Sequence, residues 1–319
     1  MPAVPFYRRP GFYFILFALI LGALLLSETI PVRPERPDAP NRENPHAVGP
    51  RHEYPEAFAL AAKDPALAQS VQLGAELFYQ TPRLAPNYVG NGLACTSCHF
   101  QGGTQEGMLG LVGVALKYPE FDPRAGRMVS LPERLQSCFL RSLNGKAPPL
   151  GSAVLQNLTD YVSYLSTGVE KEQALAWRDL DWIPPDQKIP IDQLDPKAGK
   201  VLYAGHCAAC HGPSGKGDGW APALWGERSY NNSAGLARVY TLAGFLFRAM
   251  PLSHPDHLSL EAAQQVAAYL DAQPRPAYAG QAQDYPDGKI PVDAVYYPQR
   301  YPENPLWRDL EAGTPGPRP

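Results

Sequence analysis

Apolar residues recur at helical spacing in four stretches of the chain, which form two similar pairs. The stretches are residues 71–79, 158–165, 198–203 and 266–270. Ser259 is the expected N-cap of the last helix. Gly74 and Gly199 lie 125 positions apart, whereas Tyr164 and Tyr269 lie 105 positions apart. Because the order is kept while the offset shrinks, the sequence predicts a mainly α-helical protein with a duplicated domain.

Another helix is predicted over residues 130–145, and its start and stop signals are unusually complete. Ser130 and Glu133 have the spacing of a capping box, and Pro132 lies in the first turn. Gly145 suits the position just after the helix, where a left-handed residue is common. Four polar side chains matter on this helix, because at 100° per residue they share one face.

These four residues are Arg134, Cys138, Arg141 and Ser142, and the other three lie within about 60° of the cysteine. Neighbouring guanidinium groups favour the thiolate form of a cysteine, and two of them suit a dianionic oxyanion. The simpler alternative is a buried cysteine on an amphipathic helix whose arginines face solvent.

The N-terminal pattern predicts a membrane anchor. Arg8 and Arg9 precede an apolar run over residues 11–26, and no small-residue cleavage site follows it. We therefore expect a transmembrane signal anchor over residues 1–30 with its arginines in the cytoplasm, and a cleaved signal peptide is the alternative. Residues 31–65 are a proline-rich spacer. The rest of the chain would then lie on the periplasmic side of a bacterial cytoplasmic membrane.

The two copies and their connections divide the remaining chain. The expected segments are domain 1 over residues 66–170, a linker over 171–196, domain 2 over 197–276 and a proline-rich tail over 277–319. Within the tail, Tyr296, Tyr297 and Trp307 predict that part of it packs back on the protein.

Composition narrows the function classes. The chain has 319 residues, 36 of them proline, and only 18% are charged, which favours extended connections around small cores. The formal net charge is −3 and no basic block is long, so the sequence gives no indication of a nucleic-acid partner.

Two C-x-x-C-H pentapeptides, at residues 95–99 and 207–211, predict two covalently bound haem c groups. Two thiols three positions apart can reach the two vinyl groups of one porphyrin, and the following histidine can bind the iron. The predicted attachment residues are Cys95, Cys98, Cys207 and Cys210, and the predicted proximal ligands are His99 and His211.

The second axial ligands are less evident. Met250, 39 residues after His211 and just before a proline, is the expected ligand of the second iron, with His254 and His257 as competitors. No methionine occupies the corresponding place in the first copy, and Cys138 is the cysteine that the haem motifs leave over. Side chains that could replace Cys138 on reduction are Met108, Met128 and Lys117.

Several stretches resemble the thiosulfate dehydrogenases, dihaem cytochromes c that couple thiosulfate and tetrathionate. The most specific match contains the Arg-Cys-Ser spacing and the Asn-Gly-Lys that follows it. The matching stretches are residues 91–94, 134–144, 145–148, 161–168 and 249–252.

This resemblance implies that Cys138 is the distal ligand of a catalytic haem and that Met250 ligates an electron-transfer haem. It also implies that Arg134 and Ser142 hold substrate; Arg141 is added from helix geometry alone. Electrons would pass from the first haem to the second and then to a cytochrome c or another respiratory-chain acceptor. The direction of the reaction stays open.

Two alternatives use the same motifs. A membrane-anchored dihaem electron carrier would need no arginine-flanked cysteine. A cytochrome that oxidises thiosulfate bound to a sulfur-carrier protein would require that protein partner.

Overall fold

The computed structural model describes residues 63–105, 109–172, 183–217, 221–254 and 257–309, all of which belong to one compact unit. The expected signal anchor and nearly all of the proline-rich spacer lie outside these residues. Within the described ranges, no helix is both long and apolar enough to cross a bilayer.

The described secondary structure is mainly helical, which confirms the expected class. The first domain contains α1 (Pro65–Tyr79), α2 (Thr81–Leu84), β1 (Glu120–Asp122), β2 (Arg127–Val129), α3 (Leu131–Arg141) and α4 (Ala153–Tyr164). The second contains α5 (Pro196–His206), α6 (Ala208–His211), α7 (Val239–Ala249) and α8 (Leu260–Asp271). The two strands form an antiparallel hairpin that leads directly into α3, with Phe121 opposite Met128.

Proline and acceptor side chains mark where the helices begin. Pro65 and Pro196 occupy the first turns of α1 and α5, after Asp64 and Asp195, whose carboxylates accept backbone N–H groups. The Ser259 hydroxyl accepts a backbone N–H at 3.0 Å and caps α8, as the sequence predicts.

Each domain is built on the same crossing of an opening and a closing helix. In α1, a Cβ on Gly74 would overlap a backbone carbonyl of α4 and lie 2.7 Å from the Tyr161 Cβ; in α5, a Cβ on Gly199 would meet α8 and Tyr269 in the same way. The glycines let the two backbones approach closely. The partner of Tyr269 is therefore Tyr161 and not Tyr164. Residues three apart share a helix face, so spacing alone did not separate them.

The two domains have separate cores that meet near the first haem motif. Phe78, Phe139 and Leu158 lie in the first core, and Tyr203, Val266 and Leu270 lie in the second. Phe100, which follows His99, packs on the second core and stacks on Phe245 of α7, with ring centroids 6.0 Å apart.

The tail packs back on the protein, as its aromatic residues predict. Val295 and Leu306 are buried in the second core, and Trp307 packs against it. Tyr297 is buried in a small cluster with Tyr285.

Candidate active site

The first haem motif is held by α2 and by the loop that follows the motif. Cys95 begins a 3₁₀ turn, Cys95–Ser97; its N–H donates to the Thr81 hydroxyl, whose oxygen lies 3.4 Å from the Cys95 Sγ. The His99 Nδ1 lies 2.6 Å from the carbonyl oxygen of Leu109. A donating Nδ1 selects the tautomer in which Nε2 can bind a metal.

The second motif repeats this arrangement. The His211 Nδ1 lies 2.9 Å from the carbonyl oxygen of Pro222, eleven residues further on. The Tyr203 hydroxyl donates to the Gly212 carbonyl and fixes the turn after the motif. Both histidines are thus oriented by a backbone carbonyl, as metal-binding imidazoles commonly are. The five cysteines all lie in the described ranges and none is disulfide-bonded, so both C-x-x-C-H motifs fit haem c.

Cys138 lies close to the first pair of haem-binding cysteines. Burial raises the pKa of the Cys95 and Cys98 thiols to about 12, and a negative charge on Cys138 adds to both increases. Cys95 also packs against the core that contains Phe139, the residue after Cys138. The fold therefore brings the third cysteine of the first domain to its haem motif, although 40 positions separate Cys98 from Cys138.

One of the two arginines on α3 contacts the cysteine. The Arg134 Nη1 donates to the Cys138 Sγ at 3.1 Å, across one helical turn. The charge of Cys138 is the main cause that raises the pKa of Arg134, and Tyr118 contributes to the same effect. A guanidinium at this distance stabilises an anionic sulfur.

The start of α3 confirms part of the expected capping box. The Glu133 carboxylate accepts from both the N–H and the hydroxyl of Ser130 at 2.7 Å. These bonds, with Arg127, lower the pKa of Glu133 to about 2. The other end differs from the prediction, because Asn144, with φ +46°, is the left-handed residue. Gly145 is required for another reason: a Cβ there would overlap the Tyr88 carbonyl.

Arg141 has a different environment from Arg134. Its two terminal nitrogens bind both oxygens of Asp284 at 2.8 and 2.7 Å, and its Nε donates to the Ser137 hydroxyl at 3.2 Å. The structure therefore does not bring Arg141 together with Arg134 and Cys138. Ser142 caps the end of α3, and its carbonyl accepts from the Asn91 amide at 2.8 Å.

Tyr118 lies beside the Arg134–Cys138 pair and was not found from the sequence. Burial is the main cause that raises its pKa; Arg134 opposes the rise, and Glu120 and Cys138 add to it. The residue precedes the β-hairpin in a loop without a recognisable motif. No periodic or spacing signal marks it, so only the folded structure identifies it as a neighbour of the sulfur.

Met250 directly follows α7 and is half-buried against the core of the second domain. The competing histidines lie further along the same loop and are exposed. The His257 ring lies 5.4 Å from that of His206 and 6.3 Å from that of His254. Met250 is therefore the most enclosed of the three side chains that are candidate ligands of the second iron.

The structure describes two of the three side chains considered as replacements for Cys138. Met128 lies on β2 with 54% of its surface exposed. Lys117 pairs with Glu120 at 3.3 Å. Met108 lies outside the described residues.

Comparisons with known proteins identify the family of this chain. The profile of the SoxA/TsdA cytochrome c domain matches residues 86–170, and that of cytochrome c oxidase, cbb3-type, subunit III matches residues 194–270. A thiosulfate dehydrogenase of Allochromatium vinosum is 38% identical over 230 residues, covering 69% of this chain and 83% of the relative. That of Stutzerimonas stutzeri is 38% identical over 216 residues, covering 66% and 69%. The chain belongs to the thiosulfate dehydrogenase family.

A solved structure agrees with this family. The thiosulfate dehydrogenase TsdBA of Marichromatium purpuratum, in its as-isolated form, is 33% identical with a TM-score of 0.64. The match covers 72% of this chain and 52% of that one, so the chain spans about half of that protein.

Family membership makes the chain an oxidoreductase with cytochrome c domains. The SoxA/TsdA range includes the first haem motif and all of α3, and the cbb3-type range includes the second motif, Met250 and nearly all of α8. The C-terminal tail lies beyond both matched ranges.

Proposed function

We propose that this thiosulfate dehydrogenase joins two thiosulfates as tetrathionate, 2 S₂O₃²⁻ → S₄O₆²⁻ + 2 e⁻, with Cys138 as the reacting sulfur. The observation that carries this proposal is the 3.1 Å contact between the Arg134 guanidinium and the Cys138 sulfur, beside the first haem-binding cysteines. A thiolate is both a nucleophile towards sulfur and an iron ligand.

Two haem c groups would be attached through Cys95, Cys98, Cys207 and Cys210, and four further side chains would hold their irons. His99 and Cys138 would hold the first, and His211 and Met250 the second. When bound, these groups supply an electron acceptor beside Cys138 and a route to an external acceptor, such as a cytochrome c. The orientation of both histidines by backbone carbonyls supports this assignment.

The Cys138 sulfur reacts in two successive steps. Its thiolate forms a bond to the sulfane sulfur of one thiosulfate, giving Cys–S–S–SO₃⁻ with the loss of two electrons. The sulfane sulfur of a second thiosulfate then attacks the sulfur bound to Cys138. The bond to the protein breaks, and tetrathionate and the Cys138 thiolate are released.

Arg134 offsets the charge that accumulates when two dianions approach an anionic sulfur. Such repulsion grows steeply where water is partly excluded. We assign Ser142 to substrate binding on its family resemblance and its position one turn after Cys138. Arg141 is not included, because its guanidinium is already paired with Asp284.

We also propose a periplasmic location, with residues 1–30 as a membrane anchor. The apolar run over residues 11–26 and the C-x-x-C-H motifs support it. Fractionation of cells that express the full chain tests this part: the intact N-terminus should stay with the membrane after a high-salt wash, whereas a mature protein shortened at its N-terminus would contradict the anchor.

The proposed function is tested with the holoprotein and an artificial electron acceptor. Thiosulfate should reduce the acceptor and yield tetrathionate with the wild-type protein. Cys138→Ala should abolish this while both C-x-x-C-H motifs keep their haem, because alanine removes the sulfur without the helix penalty of glycine. Full activity in Cys138→Ala would contradict the mechanism. Wild-type protein that is inactive with thiosulfate and tetrathionate would instead favour the electron-carrier alternative.

A further inference from the structure

The C-terminal tail contacts two helices next to the proposed distal ligands. These are α3, which carries Cys138, and α7, which precedes Met250. The chain leaves α8 after Asp271, beyond the second matched range, and the tail returns across the first domain. The Tyr285 N–H donates to the Arg124 carbonyl at 2.8 Å, in the turn of the β-hairpin. Pro286 lies against Gly126 of the same turn. The tail therefore lies beside the element that leads into α3.

The contact with α3 is a buried, bidentate ion pair. Asp284 is only 7% exposed, and both of its oxygens bind Arg141, at 2.7 and 2.8 Å. The Tyr297 hydroxyl donates to the same carboxylate at 2.7 Å. The Arg141 guanidinium carbon also lies 4.3 Å from the centroid of the Tyr278 ring. A buried pair of this kind is costly to break, because either partner alone would remain a buried charge.

Arg141 lies three residues after Cys138 on the same helix. The Cys138 carbonyl accepts from the N–H groups of Ser142 and Leu143, so the end of the helix is bonded to the cysteine's own backbone. The Arg141 carbonyl accepts from the Asn231 N–H at 3.2 Å. Any rotation of α3 that moves Arg141 therefore moves Cys138 with it.

A second tail carboxylate contacts α7, which precedes Met250. Asp293 is 1% exposed; its Oδ1 accepts from the Arg238 Nε and Nη2 at 3.0 and 2.8 Å, and its Oδ2 accepts from the Tyr240 N–H at 3.2 Å. These bonds lie at the N-terminal end of α7, whereas Met250 follows its C-terminal end. The Asp284 contact, by comparison, is made by a residue within one helical turn of Cys138.

We propose that Asp284 is a positioning residue for Cys138. Through Arg141 it fixes the rotation and the position of the last turn of α3. It thereby sets the direction in which the Cys138 sulfur points relative to the first haem motif. The inference rests on the proposed function for the role of Cys138. Asp284 itself touches neither substrate nor haem in this proposal.

The test compares Asp284→Asn, Arg141→Gln and the double variant as holoproteins. Each should weaken thiolate ligation, which the electron paramagnetic resonance spectrum of the oxidised protein reports directly. Thiosulfate turnover should fall roughly tenfold, as is typical when a supporting residue is lost. KM should change by less than about twofold, because substrate contacts remain. If Asp284 acts through Arg141, the double variant should resemble the single ones.

Two further variants control for folding. Asp287→Asn changes an exposed carboxylate of the same tail, which pairs with Lys289, and should leave the spectrum and the turnover unchanged. Asp284→Glu keeps the charge and should recover part of the thiolate signal if Asp284→Asn lowers it.

An unchanged thiolate signal in Asp284→Asn, with only a lower thermal midpoint, would overturn the proposal and leave a purely structural ion pair. Additive effects in the double variant would overturn it as well. The spectroscopic result does not require turnover, so a protein inactive with thiosulfate would contradict the proposed function and leave this test intact.

Discussion

Replacing Arg134 by glutamine is the most direct test of how the protein would prepare the proposed reacting sulfur of Cys138. The change removes the guanidinium that donates to the Cys138 Sγ at 3.1 Å and retains an amide of lower polarity. It leaves the Asp284 pair with Arg141 in place. The variant therefore separates the charge beside the sulfur from the contacts that position the helix.

The magnitude follows from the type of bond that is lost. A hydrogen bond to a charged group contributes about 1.5–3 kcal/mol, and about 1.4 kcal/mol corresponds to a tenfold change in rate. Arg134 is an exposed side chain, so the lower part of this range applies. We expect kcat/KM for thiosulfate to fall about tenfold in Arg134→Gln. In Arg134→Lys, kcat/KM should fall less, because lysine keeps the charge but loses the planar donor geometry.

The assay is thiosulfate-dependent reduction of an artificial acceptor, with tetrathionate measured as product. Arg127→Gln is the matched control, since Arg127 is an exposed arginine on the neighbouring strand that pairs with Glu133. It should change kcat/KM by less than about twofold. Wild-type kinetics in Arg134→Gln would refute the role of the contact, and an equal loss in both variants would reduce it to a general effect of net charge.

Two further predictions concern stability. Gly199→Ala should lower the thermal midpoint of the holoprotein by the equivalent of about 1–3 kcal/mol, because a Cβ there overlaps the backbone of α8. The control is Gly205→Ala on the same helix, where a Cβ meets nothing within 4 Å and the change should be neutral or stabilising. Equal effects of the two variants would contradict the close crossing. Burial raises the pKa of Asp271 to about 7 despite its pair with Arg275. Because this pKa lies above the value in the unfolded chain, the protonated carboxyl contributes to the free energy of unfolding. That contribution is complete below about pH 4 and is lost as the pH rises through about 7. Asp271→Asn should flatten the pH dependence of urea unfolding in this interval, and an unchanged slope would contradict the assignment.

The features that sequence reasoning predicted are those whose signals are local. The start of α3 could be predicted because Ser130, Pro132 and Glu133 lie within four positions, and the structure contains the bonds from Ser130 to the Glu133 carboxylate. The paired helices could be predicted because a glycine in a helical pattern is conspicuous. Even there, the sequence paired Tyr269 with Tyr164 instead of Tyr161, because Tyr161 and Tyr164 share a face of α4.

Contacts between distant segments could not be predicted in the same way. Asp284 lies 143 positions from Arg141. A helical wheel shows that Arg141 shares a face with Cys138, but it contains no information about which other segment covers the end of that face. The aromatic residues of the tail indicated that it packs back on the protein, because such side chains are large and apolar. They did not indicate which of its carboxylates would be buried.

The separation of the two arginines on α3 follows from burial. A buried guanidinium is costly unless it is paired, and both terminal nitrogens of Arg141 donate to the carboxylate of Asp284. Arg134 remains exposed and donates to the sulfur of Cys138. An arginine whose charge is balanced by a buried carboxylate attracts a dianion less, whereas an exposed arginine beside the cysteine sulfur still has N–H groups to donate. The same residue type, at minus four and plus three from one cysteine, thus takes two roles because the tail covers only one end of the helix.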